Sequence, residues 1–347
     1  MNKENICYNI EQLIKKHCGE HTAIEITNLQ LIKDGFSNDI AMLDIKYNTK
    51  DGEVSKEVVF KDYSKTYKGN SGTTKYNKEV SILKSNHSSK YINVPEIYFA
   101  DDESLTALME KINGQTLDKV HGCNSKRFND GIKKFGEVFA HIHSLDIDPI
   151  KGHIENNYSD PIAYFNNYIS MLRDRVINFG EEEYLHILDS LCNRFKDVDF
   201  GKGCINHGDY HFWNVILTQD DKLYILDWEK AKIADYRYDI ANTLILCYSW
   251  FGIDFKKPML EAYMNNSGKE IPHLDCFEAL LSFDSFTKCI PLIQGCDESQ
   301  FRDKTFLWVK RRYELFVEKN GTRVKKVEDY LRAKGLFDEK EIAYRAK

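Results

Sequence analysis

The sequence predicts an α+β chain with a small β-rich N-terminal lobe and a larger, mainly helical C-terminal lobe. Three observations predict it. Apolar residues alternate between about 24 and 63, they recur at three- and four-residue steps beyond 115, and two short apolar runs at 214–228 interrupt the helical stretch. Alternation marks a half-buried strand; recurrence near 3.6 residues marks an amphipathic helix.

In chain order, residues 8–18 carry helical spacing and form a leading helix. AIEITNLQLI, DIAMLDIKY and EVSKEVVFKDY read as three strands, and Asp51-Gly52 favours a tight turn between the last two. The Gly, Ser and Thr of 64–74 form a loop, Thr74 to Lys84 reads as a helix, and VPEIYFA and SLTALMEKI are two more strands. Asn113-Gly114 interrupts them, so the lobes are expected to be 1–112 and 113–347, joined near 110–115. In 128–145, Phe128, Ile132, Phe135, Val138, Phe139, Ile142 and Leu145 share one helical face. Residues 162–177, 181–196, 236–250, 274–294 and 300–317 also read as helices. NVILT at 214–218 and KLYILDW at 222–228 read as a small hairpin around Gln219-Asp220-Asp221.

The 347 residues are enough for a well-buried core in two lobes. A formal net charge of −6 disfavours a general nucleic-acid binder, which carries a basic domain. The nine cysteines are scattered, with no C-x-x-C, and read as reduced thiols of a cytoplasmic protein. The N-terminus MNKENICYNIEQL has no apolar signal-peptide core, and no run approaches eighteen apolar residues, so no membrane span is expected.

The sharpest signal is His207-Gly208-Asp209-Tyr210-His211-Phe212-Trp213-Asn214, just before NVIL, with Asp227 at the end of LYIL. Phosphoryl transfer needs a carboxylate to accept the proton of an attacking hydroxyl. It also needs a carboxylate and an amide oxygen to hold Mg²⁺ on the nucleotide phosphates. A loop leading into a hairpin gathers such groups, because the two strands return side by side. His207 and His211 are four apart, but the segment is a loop with no evident third ligand, so His207 is expected to support the loop rather than hold zinc. His141 and His143 point different ways from one helix and read as packing or surface residues. The basic run Lys310-Arg311-Arg312, with Lys319, Arg323, Lys325 and Lys326, reads as a solvated face.

H-G-D-x-H-x-x-N followed by I-L-D-W-E resembles the aminoglycoside phosphotransferase and choline kinase superfamily. The resemblance implies a protein-kinase-like two-lobe fold and a kinase that moves the γ-phosphate of ATP or GTP to a small-molecule hydroxyl. It makes Asp209 the catalytic base and Asn214 and Asp227 the Mg²⁺ ligands. The segment 234–241 looks like the family's D-x-x-x-D-[IL]-A helix start, where Asp239 would steady the catalytic loop. Lys61, closing the run VVF, matches the strand lysine that grips phosphates, with Glu79 as its ion-pair partner. Gly35, Ser37 and Asn38 resemble a G-x-[ST]-N nucleotide-covering tip, and Met109, Glu110 and Ile112 resemble the linker that receives the base. The resemblance covers roughly 28–250.

Only eleven residues separate Asp227 from Asp239, which leaves little room for a peptide-docking segment and points to a small-molecule acceptor. Two acceptor classes stay open. Aminoglycosides are polycations, for which Glu229, Asp235, Asp284, Asp297 and Glu298 are candidates; choline-like amines favour an aromatic cage, for which Trp228, Tyr248, Trp250, Phe251 and Trp308 are candidates. A non-catalytic nucleotide-binding pseudokinase is the reading of another class, opposed by the intact Asp209, Asn214, Asp227 and Lys61.

Overall fold

The structure is a computed structural model describing residues 3–32, 39–64, 71–87, 89–123, 125–153, 158–295 and 304–346. In chain order the first elements are α1 (Lys3–Cys18), β1 (Ile24–Ile32), β2 (Asp39–Thr49), β3 (Gly52–Asp62), α2 (Gly72–Asn86), β4 (Ile97–Asp101), β5 (Thr106–Glu110) and β6 (Gly114–Thr116). Then come α3 (Leu117–Cys123), α4 (Ser125–Ile142), α5 (Pro161–Asn178), α6 (Leu185–Arg194), β7 (Cys204–Asn206), β8 (Val215–Thr218), β9 (Leu223–Ile225) and β10 (Lys232–Ala234). The chain closes with α7 (Tyr236–Phe251), α8 (Lys256–Ser267), α9 (Leu274–Thr287), α10 (Ile290–Ile293), α11 (Lys304–Asn320), α12 (Lys325–Ala333) and α13 (Glu339–Arg345). The α+β class is as the sequence predicts.

By packing, the described chain falls into two compact units: 1–141 with 146–155 and 212–232, and 142–145 with 156–211 and 233–347. In the first, β1, β2, β3, β5 and β4 form an antiparallel sheet in that order. The β2–β3 hairpin closes at Thr49 opposite Gly52. Alternation then sorts the side chains by face. Ala41, Leu43, Ile45, Tyr47, Val58, Phe60 and Leu108 are buried against Ile6, Ile10, Leu13 and Ile14, the apolar stripe of α1. Lys61 follows Phe60 and so projects from the opposite face. The start of α2 runs hard against the end of β3: a Cβ on Gly72 would lie 1.9 Å from the Tyr63 carbonyl oxygen. A second small sheet, β6-β8-β9, holds the expected hairpin.

The second unit is mainly helical. All of α9 from Cys276 to Thr287 is buried, its charged Glu278 and Asp284 being paired with Lys256, Arg175 and Lys288. It packs against α5, α6, α7 and α11. The helix expected over 274–294 breaks after Thr287, and α10 restarts with Pro291 in its first turn, where a missing N–H costs nothing. In the basic run expected as a solvated face, Arg323, Lys325 and Lys326 are exposed as read, but the side chains are also ion-paired. Lys310 meets Glu314 at 2.9 Å, Lys319 meets Glu318 at 2.8 Å, Arg323 meets Glu328 at 2.7 Å, and Lys326 meets Glu181. Arg312 is only 6% exposed, stacks on Trp308 and donates to the Ser285 carbonyl. Neighbouring carboxylates and an aromatic face, invisible in a linear run of charges, decide its fate. No helix among the described residues is long and apolar enough to cross a membrane.

Candidate active site

In the first unit the hairpin does the gathering. Val215 pairs with Ile225, and the Leu226 N–H donates to the Asn214 carbonyl at 2.8 Å. Asn214 and Asp227 therefore leave the same end of the hairpin. Asp227 has φ +63°, a left-handed conformation unusual for a residue with a Cβ, and the 228–230 turn follows it.

Lys61 is at the centre of a buried charge cluster. Its Nζ lies 2.6 Å from Glu79 Oε2, 2.7 Å from Glu229 Oε1 and 2.9 Å from Asp227 Oδ1. The expected Lys61–Glu79 ion pair is thus present. Tyr63 Oη donates to Glu79 at 2.9 Å, and Lys75, one turn before Glu79 on α2, lies 3.6 Å from Glu229 Oε2. Burial disfavours the charged amine of Lys61, but the carboxylates of Asp227 and Glu79 outweigh it and hold its pKa well above the ordinary value. Burial pushes the Glu79 carboxyl up, with Asp227 and Glu229 adding to the shift against Lys61. Carboxylate oxygens of Glu79, Asp227 and Glu229 come within 4.8 Å of one another. Hard oxygen donors at that spacing suit Mg²⁺.

The linker residues end β5. Met109 is buried in register with Val59 and Ile97, the Glu110 N–H donates to the Glu96 carbonyl at 2.8 Å, and Ile112 lies two residues on. Lys111 and Asn113 both hold Glu57. Gly35, Ser37 and Asn38 lie outside the described residues, as do Asp297 and Glu298.

In the second unit the H-G-D loop hangs on α7. Asp239, in the first turn of α7, accepts from the His207 N–H at 2.6 Å and the Gly208 N–H at 2.8 Å. Asn242 donates to the Gly208 carbonyl at 2.9 Å. Gly208 has φ +80°, which glycine adopts without steric cost. His207 Nδ1 accepts from the Asp209 N–H at 3.2 Å, so His207 braces the loop as expected. Asp209 is 8% exposed, with His211 Nε2 at 3.6 Å from its Oδ1. Burial works against the charge on Asp239, but His143 and the backbone donors outweigh it, and its carboxyl stays below the ordinary range.

Tyr263 and Lys75 escaped the sequence reading, and His143, read there as a packing or surface residue, is buried against the loop's support. His143 bridges Asp239 at 3.3 Å and the Tyr263 hydroxyl at 2.9 Å. A histidine just past a helix end and a Lys-x-x-x-Glu pair look the same in sequence whether solvated or buried.

The acceptor candidates are placed less simply. Glu229 faces Lys61 and Lys75. Asp235 is fully buried, capping α7 and pairing with Arg237 at 2.7 Å. Asp284 is held by Arg175 at 2.5 Å and Lys288 at 2.6 Å. Trp228 is fully buried, and Tyr248 bonds Glu314 and Arg345. Trp250 and Trp308 pair with ring centroids 5.7 Å apart, and the Arg312 guanidinium lies 3.4 Å from the Trp308 ring centroid. Phe251 closes α7.

A family model, "Phosphotransferase enzyme family", matches residues 29–279. That is most of the chain, so the protein belongs to this family and is a kinase-type phosphotransferase. Solved structures agree on the fold. A Ralstonia eutropha JMP134 protein provisionally assigned as an aminoglycoside phosphotransferase superposes with a TM-score of 0.62 at 17% identity, over 94% of this chain and 98% of that one. The streptomycin–ATP ternary complex of APH(2'')-IIa gives 0.58 at 16%, over 91% and 99%. The macrolide 2'-phosphotransferase MphH of Brachybacterium faecium gives 0.54 at 15%, over 87% and 97%.

Proposed function

We propose that this enzyme transfers the γ-phosphate of ATP or GTP to a hydroxyl of a small-molecule acceptor, as an aminoglycoside phosphotransferase-like kinase. The observation that carries the reading is the buried Lys61 held by Glu79 and Asp227, the arrangement a phosphate-gripping lysine needs. Asp209 accepts the hydroxyl proton. Asp239 and His207 hold its loop so that the base does not have to be ordered at the moment of reaction. Asn214 and Asp227 would hold Mg²⁺, which neutralises phosphate charge when bound. Met109, Glu110 and Ile112 present the linker backbone to the base, and the lobes 1–112 and 113–347 divide nucleotide binding from catalysis and acceptor binding. A cytoplasmic setting belongs to the same proposal, because the nucleotide co-substrate is supplied there.

One relative in the same fold, APH(2'')-IIa, is solved both with streptomycin and with gentamicin, which supports an amine-bearing acceptor. Choline-type amino alcohols are the second acceptor class, for which the Trp250–Trp308 pair is the candidate aromatic surface, with Arg312 already on the Trp308 ring. The test is Mg-ATP and Mg-GTP binding by calorimetry in the wild type and in Lys61→Met. A loss of about tenfold or more in Lys61→Met supports the reading; equal affinity contradicts it.

A further inference from the structure

We infer that Lys75 is a positioning residue for the nucleotide-phosphate lysine, acting through Glu229. This rests on the reading of Lys61 given above. The two oxygens of Glu229 divide between two lysines: Oε1 lies 2.7 Å from Lys61 and Oε2 3.6 Å from Lys75. Glu229 is 7% exposed, Lys75 6% and Lys61 5%. In so dry a setting an ionic contact holds its geometry, because a displaced charge finds no water to replace its partner. Lys75 and Glu79 are one turn apart on α2 and so share a face. That face meets the 227–230 turn at two points, directly through Lys75–Glu229 and by way of Lys61, which Glu79 shares with Asp227.

The arrangement has a chemical consequence. Lys61 must release part of its carboxylate shell to reach a phosphate, yet stay aimed. Glu79 and Glu229 can hold the ammonium from two sides while Asp227 lets go. Loss of Lys75 removes the cationic contact to the second oxygen of Glu229. Glu229 then faces the Asp227 and Glu79 carboxylates with one ammonium fewer to hold it beside Lys61. Three carboxylates already face two ammonium groups in this cluster, so loss of one ammonium raises the repulsion among them.

The test is a double-mutant cycle on Mg-ATP and Mg-GTP affinity, with thermal unfolding as the control for folding. Lys75→Met is expected to weaken nucleotide binding about tenfold, and Lys75→Arg to stay within about threefold of wild type, because the charge is kept. In a Glu229→Gln background, Lys75→Met should cost nothing more, since its effect passes through Glu229. Additive losses would overturn the inference. So would a Lys75→Arg variant as weak as Lys75→Met, or a Lys75→Met variant that binds like wild type. If Lys75→Met unfolds at the assay temperature, the comparison of Lys75→Arg with Lys75→Gln decides in the same way. Lys61→Met separates the two claims: normal binding in that variant sinks the reading of Lys61 itself, whereas weak binding there with normal binding in Lys75→Met sinks only the role of Lys75.

Discussion

Asp209 and Asp239 are both buried carboxylates on one loop-and-helix pair, and their surroundings separate their work. Asp239 spends its oxygens on two backbone N–H groups and His143. A buried amide left without its acceptor costs about 1–3 kcal/mol. Asp239→Ala strands two, and is expected to lower stability by about 2–5 kcal/mol in urea unfolding. Asp209 takes neither of those backbone donors; its Oδ1 lies 3.6 Å from His211 Nε2, and it is the proposed base. Asp209→Asn should therefore lower kcat by about 10²–10⁴-fold while nucleotide affinity in calorimetry stays within about twofold of wild type. Gly208 is the third fixed point: φ +80° means that Gly208→Ala strains the loop by about 1–2 kcal/mol, read as a lower unfolding midpoint. The Lys61–Glu79 pair and the shared hairpin end of Asn214 and Asp227 were legible in the sequence because spacing within a motif survives translation into geometry. Lys75 was not, and His143 was read only as packing or surface, because what each does comes from which buried partner it meets.

Elements carry the next layer. Helix α1 caps one face of the N-terminal sheet, so the other face is left for Lys61. Ile10 is fully buried in that contact, and Ile10→Ala should destabilise the protein by about 2–5 kcal/mol in chemical denaturation. Helices α5 and α9 are joined by Arg175 and Asp284. Burial works against the charge of Asp284, but Lys288 and Arg175 outweigh it and keep its carboxyl well below the usual range. A depressed carboxylate contributes stability above its unfolded pKa, near 3.9, and loses it as pH falls toward the folded value. At pH 7 Asp284→Asn is expected to be less stable than wild type by about 3 kcal/mol. The gap should narrow steadily below about pH 4; a gap constant from pH 7 to pH 3 would contradict the assignment. The strands and long helices were readable from periodicity. The short strands β6, β7 and β10, of three residues each, were not, because three residues hold no period. The break between α9 and α10 was missed because a continuous apolar pattern hid it.

At the scale of the whole molecule, the α+β class and the family were both visible in the sequence, one from periodicity and the other from the H-G-D and I-L-D-W-E segments. The acceptor was not. Carboxylates and aromatics are equally suited to a substrate pocket and to a core, and the structure shows Asp235 and Asp284 committed to internal partners. The most direct measurement is phosphoryl transfer from γ-labelled Mg-ATP and Mg-GTP to a panel of aminoglycosides, amino alcohols, sugars and nucleosides, with wild type and Asp209→Asn side by side. The account predicts magnesium-dependent labelling of one acceptor class by the wild type, lost by orders of magnitude in Asp209→Asn. Equal labelling by both proteins, or none by a wild type that binds nucleotide across an acceptor panel widened well beyond these classes, would contradict it.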